Sequence, residues 1–223
     1  MPRLPTDGSY ERVVPSLRVP SRTPAGAVAG GRIGWVASVG LSCRVGPAAS
    51  GVGENPNAMT ETKQLLLLRH AKSSWDDPSL ADEDRPLAPR GRKAAKRLGA
   101  YVRRERIAVG VVLCSSAKRA RETLDLVRPP GEIVIERELY HATAAELLER
   151  LRRVPDEVDA VMLIGHEPAI RDLAVGLVGP ESELADRKFP TAGLATLTFT
   201  GPWTTLAPDG AGLAAFVRPR ELT

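Results

Sequence analysis

Three short segments of the sequence carry residues suited to phosphoryl chemistry. Arg69-His70, the stretch Ser115–Arg119 and His166 each directly follow an apolar run. A neutral imidazole can attack phosphorus, and guanidinium groups bind dianionic phosphate. Two imidazoles and two guanidiniums at one point would form a strongly cationic pocket. There His70 could accept a phosphoryl group covalently, while the other three groups stabilise the charge on its oxygens.

The apolar runs before these segments predict strands that are buried on both faces, as in a parallel sheet. The first run consists of four consecutive leucines, which are too few to form a helix of their own. Two shorter apolar stretches near the end of the chain predict two further strands. The six predicted strands cover Leu65–Leu68, Val109–Cys114, Ile133–Ile135, Ala160–Ile164, Leu194–Phe199 and Leu213–Val217.

Helical patterns lie between the first four strands. Their starting points are Gly91, a cap at Ser115 or Ser116, the capping box Thr143–Glu146, and Pro168. The second of these helices has Arg119 in or near its first turn, the third extends through Val154, and the fourth ends at Gly179. Alternating strands and helices predict an α/β protein, namely a three-layer α/β/α sandwich with a mostly parallel central sheet.

In such a sheet the carboxyl ends of the parallel strands share one edge, where ligands bind. Because the three segments follow three different strands, we expect Arg69, His70, Arg119 and His166 to meet at this edge. Two histidines could also suggest a metal, but the neighbouring cations would repel it and no cluster of carboxylates accompanies them. We therefore expect no metal and no other cofactor. The remaining histidine, His141, and the neighbouring cation Arg121 are expected at the surface.

The composition limits the classes of partner. The chain has 223 residues and a formal net charge of +4, enough length for one well-buried domain. Residues 1–58 hold six Arg, no Lys and three acidic residues, so residues 59–223 carry only +1, which argues against a nucleic-acid partner.

Two separated cysteines suit a reducing cytoplasm. The longest charge-free apolar stretch, Ile33–Cys43, falls short of the roughly 20 residues that span a bilayer. We expect a cytoplasmic protein with no membrane partner.

The leading segment differs from the rest of the chain. Residues 1–58 are rich in Gly, Pro, Ser, Val and Arg and show no sustained strand or helix period, which indicates no fold of their own. Met59 stands just before the first strand, so the compact domain is predicted to cover residues 59–223. Residues 1–58 are expected to be a disordered extension or an upstream reading artefact.

Several motifs together resemble the histidine phosphatase superfamily, which has the phosphoglycerate-mutase-like fold. The motifs are Arg69–Ala71 after the first strand, Ser115–Thr123 after the second and Gly165–Pro168 after the fourth. More specifically, Arg69–Trp75, Asp84–Leu87 and Phe189–Ala192 are similar to the small SixA-type phosphohistidine phosphatases. The resemblance covers about residues 63–220.

This resemblance implies a role for each candidate residue. His70 would be the nucleophile that accepts the phosphoryl group, with Arg69, Arg119 and His166 forming the phosphate pocket. Ser73 would contribute a hydroxyl to that pocket. The superfamily usually supplies a carboxylate that protonates the leaving group. Glu138 is the first candidate for it, and Asp76 is the second.

The resemblance implies a phosphatase that acts on phosphohistidine in a protein partner. The sequence contains no long insertion that could close over the pocket, and only the short acidic loop Asp76–Asp84 would overhang it. Such an open pocket suits a phosphorylated protein side chain or a broadly accepted small ester, rather than a mutase substrate that must be retained through two transfers. Two alternatives remain open at this point. One is a phosphatase of small phosphate esters, and the other is a catalytically silent phosphate-binding module.

Overall fold

The computed structural model describes residues 62–222, which form one mixed sheet with helices on both faces. The predictions for residues 1–58 and for Met59 lie outside this range. The sheet has six strands in the order β3-β2-β4-β1-β5-β6. The strands are β1 (Thr62–Arg69), β2 (Val111–Ser115), β3 (Glu132–Glu136), β4 (Ala160–Gly165), β5 (Leu194–Thr200) and β6 (Gly212–Val217).

The four strands from β3 to β1 are parallel to one another, whereas β5 pairs antiparallel with both β1 and β6. Strands β1, β2 and β4 therefore end at the same edge of the sheet, which we call the carboxyl edge. Strand β5 begins at this edge, and β6 ends there. The predicted mostly parallel sheet is confirmed.

The four helices cover the two faces in pairs. They are α1 (Pro89–Arg104), α2 (Lys118–Val127), α3 (Ala144–Leu151) and α4 (Ala169–Val178). The leucines of β1 alternate between the two sides, as strand geometry requires. Leu66 and Leu68 pack in the core beneath α1 and α2, and Leu65 and Leu67 pack in the core beneath α3 and α4. This arrangement is the predicted three-layer α/β/α sandwich.

Helices α1 and α4 begin within two residues of their predicted starts, whereas two other predicted helix boundaries are wrong. Helix α2 is preceded by Ala117, with no capping side chain, so the predicted serine cap is wrong. Oγ of Ser115 contacts His166 and accepts a hydrogen bond from the N–H of Ala117, before the helix begins, and Oγ of Ser116 donates to Glu83.

The second difference concerns the end of α3. This helix stops at Leu151 and not at Val154, and the next residues form a turn. Pro155 directly follows Val154, and the residue before a proline is disfavoured in helical conformation.

The chain between β1 and α1 forms the acidic loop, Asp76–Asp84, which contains a short 3-10 turn at Asp82–Asp84. An isolated bridge between Ser73 and Leu87 closes the base of this connection. Two further 3-10 turns lie at Trp203–Thr205 and Pro219–Glu221. None of the helices within residues 62–222 has the length and apolar character that crossing a membrane requires.

Candidate active site

The structure brings the two predicted site histidines together at the carboxyl edge. Arg69 is the last residue of β1 and His70 follows it, while His166 follows the end of the neighbouring strand β4. The two imidazole rings lie with their centroids 4.9 Å apart and are tilted by 51°. Arg119 is the second residue of α2, which follows β2 on the other side of β4. Three adjacent parallel strands thus position the site.

The contacts of His70 determine which of its nitrogens is available. The side chain is buried, and Nδ1 lies 2.7 Å from the backbone oxygen of Ala71. A carbonyl oxygen only accepts hydrogen bonds, so Nδ1 carries the proton and Nε2 keeps its lone pair. Burial, followed by the charge on His166, lowers the pKa of His70 from 6.5 to about 3. The ring is therefore neutral at physiological pH, with a nucleophilic Nε2.

His166 is held by a hydroxyl and by an aromatic ring. Its Nε2 lies 2.8 Å from Oγ of Ser115, and its ring packs edge-on to Tyr140 at a centroid distance of 5.3 Å. Burial, and then the charge of Arg119, lowers the pKa of His166 to about 4. Its Nδ1 is buried and has no hydrogen-bond partner among residues 62–222. The second imidazole is thus neutral as well.

Arg69 is anchored at one end of its guanidinium group. Nη1 donates a hydrogen bond to the backbone oxygen of Phe189 at 2.6 Å, in the segment just before β5. The same nitrogen lies 3.7 Å from a carboxylate oxygen of Glu167, and burial raises the pKa of that carboxyl. Nε of Arg69 is buried without a partner in the described part of the chain. These contacts orient the cation and leave donors for an anion.

A carboxylate from the acidic loop occupies Arg119. Nη1 and Nη2 of Arg119 donate to the backbone oxygen and to Oδ2 of Asp82, at 2.5 and 2.9 Å. The hydroxyl of Tyr140 donates to the same Oδ2 at 2.6 Å. This hydrogen bond is the largest cause that lowers the pKa of Asp82 to about 2, and Arg119 adds to it. Asp82 is therefore ionised, and any anion that binds Arg119 has to compete with it.

A second arginine, Arg85, fixes Asp82 from the other side. Its Nη1 donates to Oδ1 of Asp82 at 2.5 Å, and its Nη2 donates to Oγ of Ser73 at 2.6 Å. Arg85 also lies over the ring of Trp75, 3.2 Å from its centroid. Ser73 is buried, and within residues 62–222 its side chain is joined to the site through Arg85 and Asp82. Sequence reasoning missed both of these residues. The acidic run Asp76–Asp84 indicated that a carboxylate could lie beside the cationic pocket, but not which one.

A buried threonine links the two halves of the site. Oγ1 of Thr123 accepts a hydrogen bond from the backbone N–H of Ala71 at 3.0 Å and donates to the backbone oxygen of Arg119 at 2.6 Å. One hydroxyl thereby couples the residue that follows His70 to the helix turn that carries Arg119. The side chain of Thr123 is completely buried, so this coupling is shielded from water.

The two candidate proton donors lie apart from these contacts. The side chains of Glu138 and Asp76 are exposed, and within residues 62–222 neither forms a hydrogen bond or ion pair with the pocket side chains. Tyr140, two residues after Glu138, reaches the site in its place. His141 is exposed and stacks on Tyr140, and Arg121 is exposed on α2. Both of these residues have the surface positions that were predicted for them.

The metal-ligating residue types give no further centre. Across residues 62–222, no group of three or more His, Cys, Asp or Glu side chains is arranged to hold a metal ion. Cys114 is a buried free thiol, and burial raises its pKa to about 12. This thiol is therefore protonated at physiological pH.

Comparisons with known proteins show the family to which the chain belongs. Residues 65–144 match the family model of the histidine phosphatase superfamily, branch 1. An uncharacterized protein of Mycobacterium tuberculosis is 40% identical over 159 residues, which cover 69% of this chain and 100% of that protein. The chain belongs to the histidine phosphatase superfamily.

Two solved structures are similar over the same region. One, from Nakamurella multipartitia, is described as a SixA phosphohistidine phosphatase. It is 33% identical and has a TM-score of 0.65, with 71% of this chain and 96% of that chain covered. The other, from Agrobacterium tumefaciens, carries the same description. It is 30% identical and has a TM-score of 0.61, with coverages of 70% and 99%. The fold is thus the predicted phosphoglycerate-mutase-like one, and the class of protein is that of SixA-like phosphatases.

Proposed function

We propose that this phosphatase hydrolyses phosphohistidine in proteins through a covalent phosphoryl intermediate on His70. The observation that carries the proposal is the hydrogen bond between His70 Nδ1 and the Ala71 carbonyl, which leaves Nε2 as an unprotonated nucleophile. A catalytically silent binding module has no need of a buried neutral imidazole beside two arginines. The description of the two similar structures as SixA phosphohistidine phosphatases supports the choice of substrate.

The proposed reaction has two displacements. In the first, the lone pair of His70 Nε2 attacks phosphorus, the P–N bond to the substrate breaks, and the substrate imidazole leaves and takes a proton from water. In the second, a water molecule attacks the same phosphorus, the P–N bond to His70 breaks, and inorganic phosphate leaves. The proton lost by this water neutralises the hydroxide that the first displacement left, and the neutral His70 ring is restored. Nδ1 keeps its proton throughout, so the ring needs no tautomer change between the steps.

The charged groups around His70 would stabilise the transferring phosphoryl group. Arg69 has donors beyond its contact with Phe189, and Arg119 gains donors when its Asp82 contact yields to the substrate. His166 lies close enough to bind an equatorial oxygen, and a bound dianion would favour its protonated form. In this role Asp82 neutralises Arg119 in the free enzyme and screens it from unspecific anions.

The state of Asp82 favours a phosphoramidate over an ester. Its pKa of about 2 makes it a carboxylate at neutral pH, so this residue cannot protonate a departing alkoxide. An imidazole leaving group carries its own basic nitrogen and needs less help from an acid. Glu138 stays the first candidate for a proton donor from the sequence, followed by Asp76. Substrate binding would have to bring either residue into contact with the leaving group.

The test compares a phosphohistidine peptide with a generic aryl phosphate as substrates of wild type and His70→Asn. The asparagine can keep a donor toward the Ala71 carbonyl but has no nucleophile. We expect kcat/KM for the peptide to fall by several orders of magnitude, and the phosphorylated enzyme, trapped at alkaline pH, to disappear from the mass spectrum. Wild-type turnover in this variant would refute the assignment of the nucleophile.

Vanadate binding tests the pocket separately, with a matched control on the same helix. Arg119→Ala should weaken vanadate binding by at least tenfold, whereas Arg121→Ala, two residues further along α2 and exposed, should leave it unchanged. Equal affinities in the two variants would contradict the proposed position of the phosphate.

The same assays distinguish the two alternatives. Turnover of small esters well above that of the peptide would identify an ester phosphatase. Tight vanadate binding with no turnover of any substrate would identify a silent binding module.

A further inference from the structure

A cavity of about 760 Å³ lies outside the contacts described so far, and its lining is strongly basic. Among its charged lining residues, the structure shows one acid, Asp186, against six cations. We call it the basic cavity. Its cations are Lys72, Arg90, Arg187, Lys188, Arg218 and Arg220.

The topology places this cavity at the same carboxyl edge as His70. Lys72 follows His70 by two residues, a distance of at most about 7 Å along the backbone. The segment 186–191 leads into β5, which begins at this edge, and Arg218 follows β6, which ends there. Arg90 is the second residue of α1. The catalytic contacts lie over β1, β4 and β2, whereas the basic cavity lies over β1, β5 and β6.

Phe189 and Ala192, which flank the cavity-lining residues Pro190 and Thr191, both contact the site. Pro190 lines the cavity and directly follows Phe189, whose carbonyl accepts the hydrogen bond from Arg69. The N–H of Ala192 then lies 3.1 and 3.2 Å from the carbonyl oxygens of Arg69 and His70. The basic cavity and the site therefore adjoin along this segment.

Most of these cations are not neutralised by acids in the described part of the chain. Arg187 pairs with Glu183 at 3.0 Å, and Arg218 lies 3.5 Å from Glu221. The other four cations form no ion pair with any residue in 62–222. Because the domain as a whole is nearly neutral, a net excess of positive charge in one concave place indicates an anionic ligand.

We propose that the basic cavity binds acidic side chains of the protein substrate, next to its phosphohistidine. This inference rests on the proposed function and specifies which phosphoproteins the enzyme accepts. Long, flexible lysine and arginine side chains suit the carboxylates of a mobile peptide segment. A single-stranded nucleic acid is disfavoured because the cavity lining contains no aromatic side chain on which bases could stack.

The experiment uses the full chain and two phosphohistidine peptides that differ only in flanking residues, Asp and Glu in one and Asn and Gln in the other. Wild type should cleave the acidic peptide with at least tenfold higher kcat/KM, mainly through a lower KM. This preference should shrink between low and high salt because exposed charges are screened. Equal kcat/KM for the two peptides would overturn the inference and leave the proposed function intact.

Charge-reversal variants test whether the preference for the acidic peptide comes from the basic cavity. In Arg90→Glu combined with Arg220→Glu, the preference for the acidic peptide should disappear, while turnover of an aryl phosphate stays at the wild-type level and shows that the fold is intact. The matched control combines Lys96→Glu and Arg121→Glu, the same change in charge at exposed positions outside the cavity, and should keep the preference. A preference that survives the Arg90 and Arg220 substitutions would overturn the inference.

A binding measurement separates this inference from the proposed function. A fluorescein-labelled Asp/Glu peptide without phosphate should bind wild type, as measured by anisotropy, and should bind the Arg90 and Arg220 double variant at least tenfold more weakly. This result would support the basic cavity even if neither phosphohistidine peptide were cleaved. Tighter binding of a thymidine oligonucleotide of equal charge, or displacement of the peptide by inorganic phosphate at micromolar concentration, would overturn it.

Discussion

The two neutral imidazoles of the site should make the protein sensitive to mild acid. A histidine in an unfolded chain has a pKa near 6.5, whereas the folded pKa is about 3 for His70 and about 4 for His166. Between these values the unfolded chain binds more protons than the folded one. The free energy of unfolding must therefore fall as the pH falls through 6.5. The contribution of these two histidines stops changing only near their folded pKa values.

The magnitude follows from the difference in proton binding. At pH 5 each unfolded histidine is almost fully protonated and each folded one is almost fully neutral, which costs about 2 kcal/mol per residue relative to pH 7.5. The two histidines together therefore remove about 4 kcal/mol, a large part of the stability of an ordinary domain. The figure changes little for any folded pKa well below 5. Asp82 does not contribute, because its stabilising effect is lost only between its ordinary pKa of 3.8 and about 2.

The assay is urea unfolding at pH 7.5, 6.5, 5.5 and 5.0 in phosphate-free buffers, with wild type and His70→Asn measured side by side. The asparagine does not titrate, so the variant should lose about 2 kcal/mol less stability than wild type over this range. All other titrating groups are shared and cancel in the comparison. Parallel losses in the two proteins would show that residue 70 is protonated in the folded state and would refute a neutral nucleophile.

Two further substitutions test the contacts around the pocket. Asp82→Asn removes the negative charge that occupies Arg119, so inorganic phosphate should inhibit the phosphatase activity about fivefold more strongly, an effect of about 1 kcal/mol. Unchanged or weaker inhibition would show that Asp82 does not compete with the anion. Thr123→Val keeps the shape of the side chain but leaves the buried N–H of Ala71 without a partner. We expect it to lower the free energy of unfolding by about 1–3 kcal/mol in urea titrations, and a loss below 0.5 kcal/mol would contradict a buried role for this hydroxyl.

The sequence was sufficient to place the histidines because the information is local. Apolar runs that end abruptly at Arg69 and at Gly165 mark the ends of buried strands, and parallel strands end at a common edge. Alternation of strands and helices then determines the layers. These features depend on the pattern of residue types, which tertiary contacts did not override.

The contacts of Asp82 could not be predicted because they join residues far apart in sequence. A loop carboxylate meets Arg119, 37 residues further along, and Tyr140, 58 residues further along. Nothing in the local pattern distinguishes Asp82 from the other acidic residues of the acidic loop. The predicted serine cap failed for a related reason, because Ser115 is needed as a partner of His166. The basic cavity is likewise assembled from four separate segments.

The stacking of Arg85 on Trp75 has a practical consequence. Trp75 is 69% exposed, and the guanidinium over its ring is joined through Asp82 to Arg119, the cation proposed to bind the phosphoryl group. Trp203, by comparison, is fully enclosed in the core on the far face of the sheet. Filling of the pocket should therefore change the indole emission of Trp75 without any added dye, and a stopped-flow fluorimeter could follow ligand binding and the first turnover.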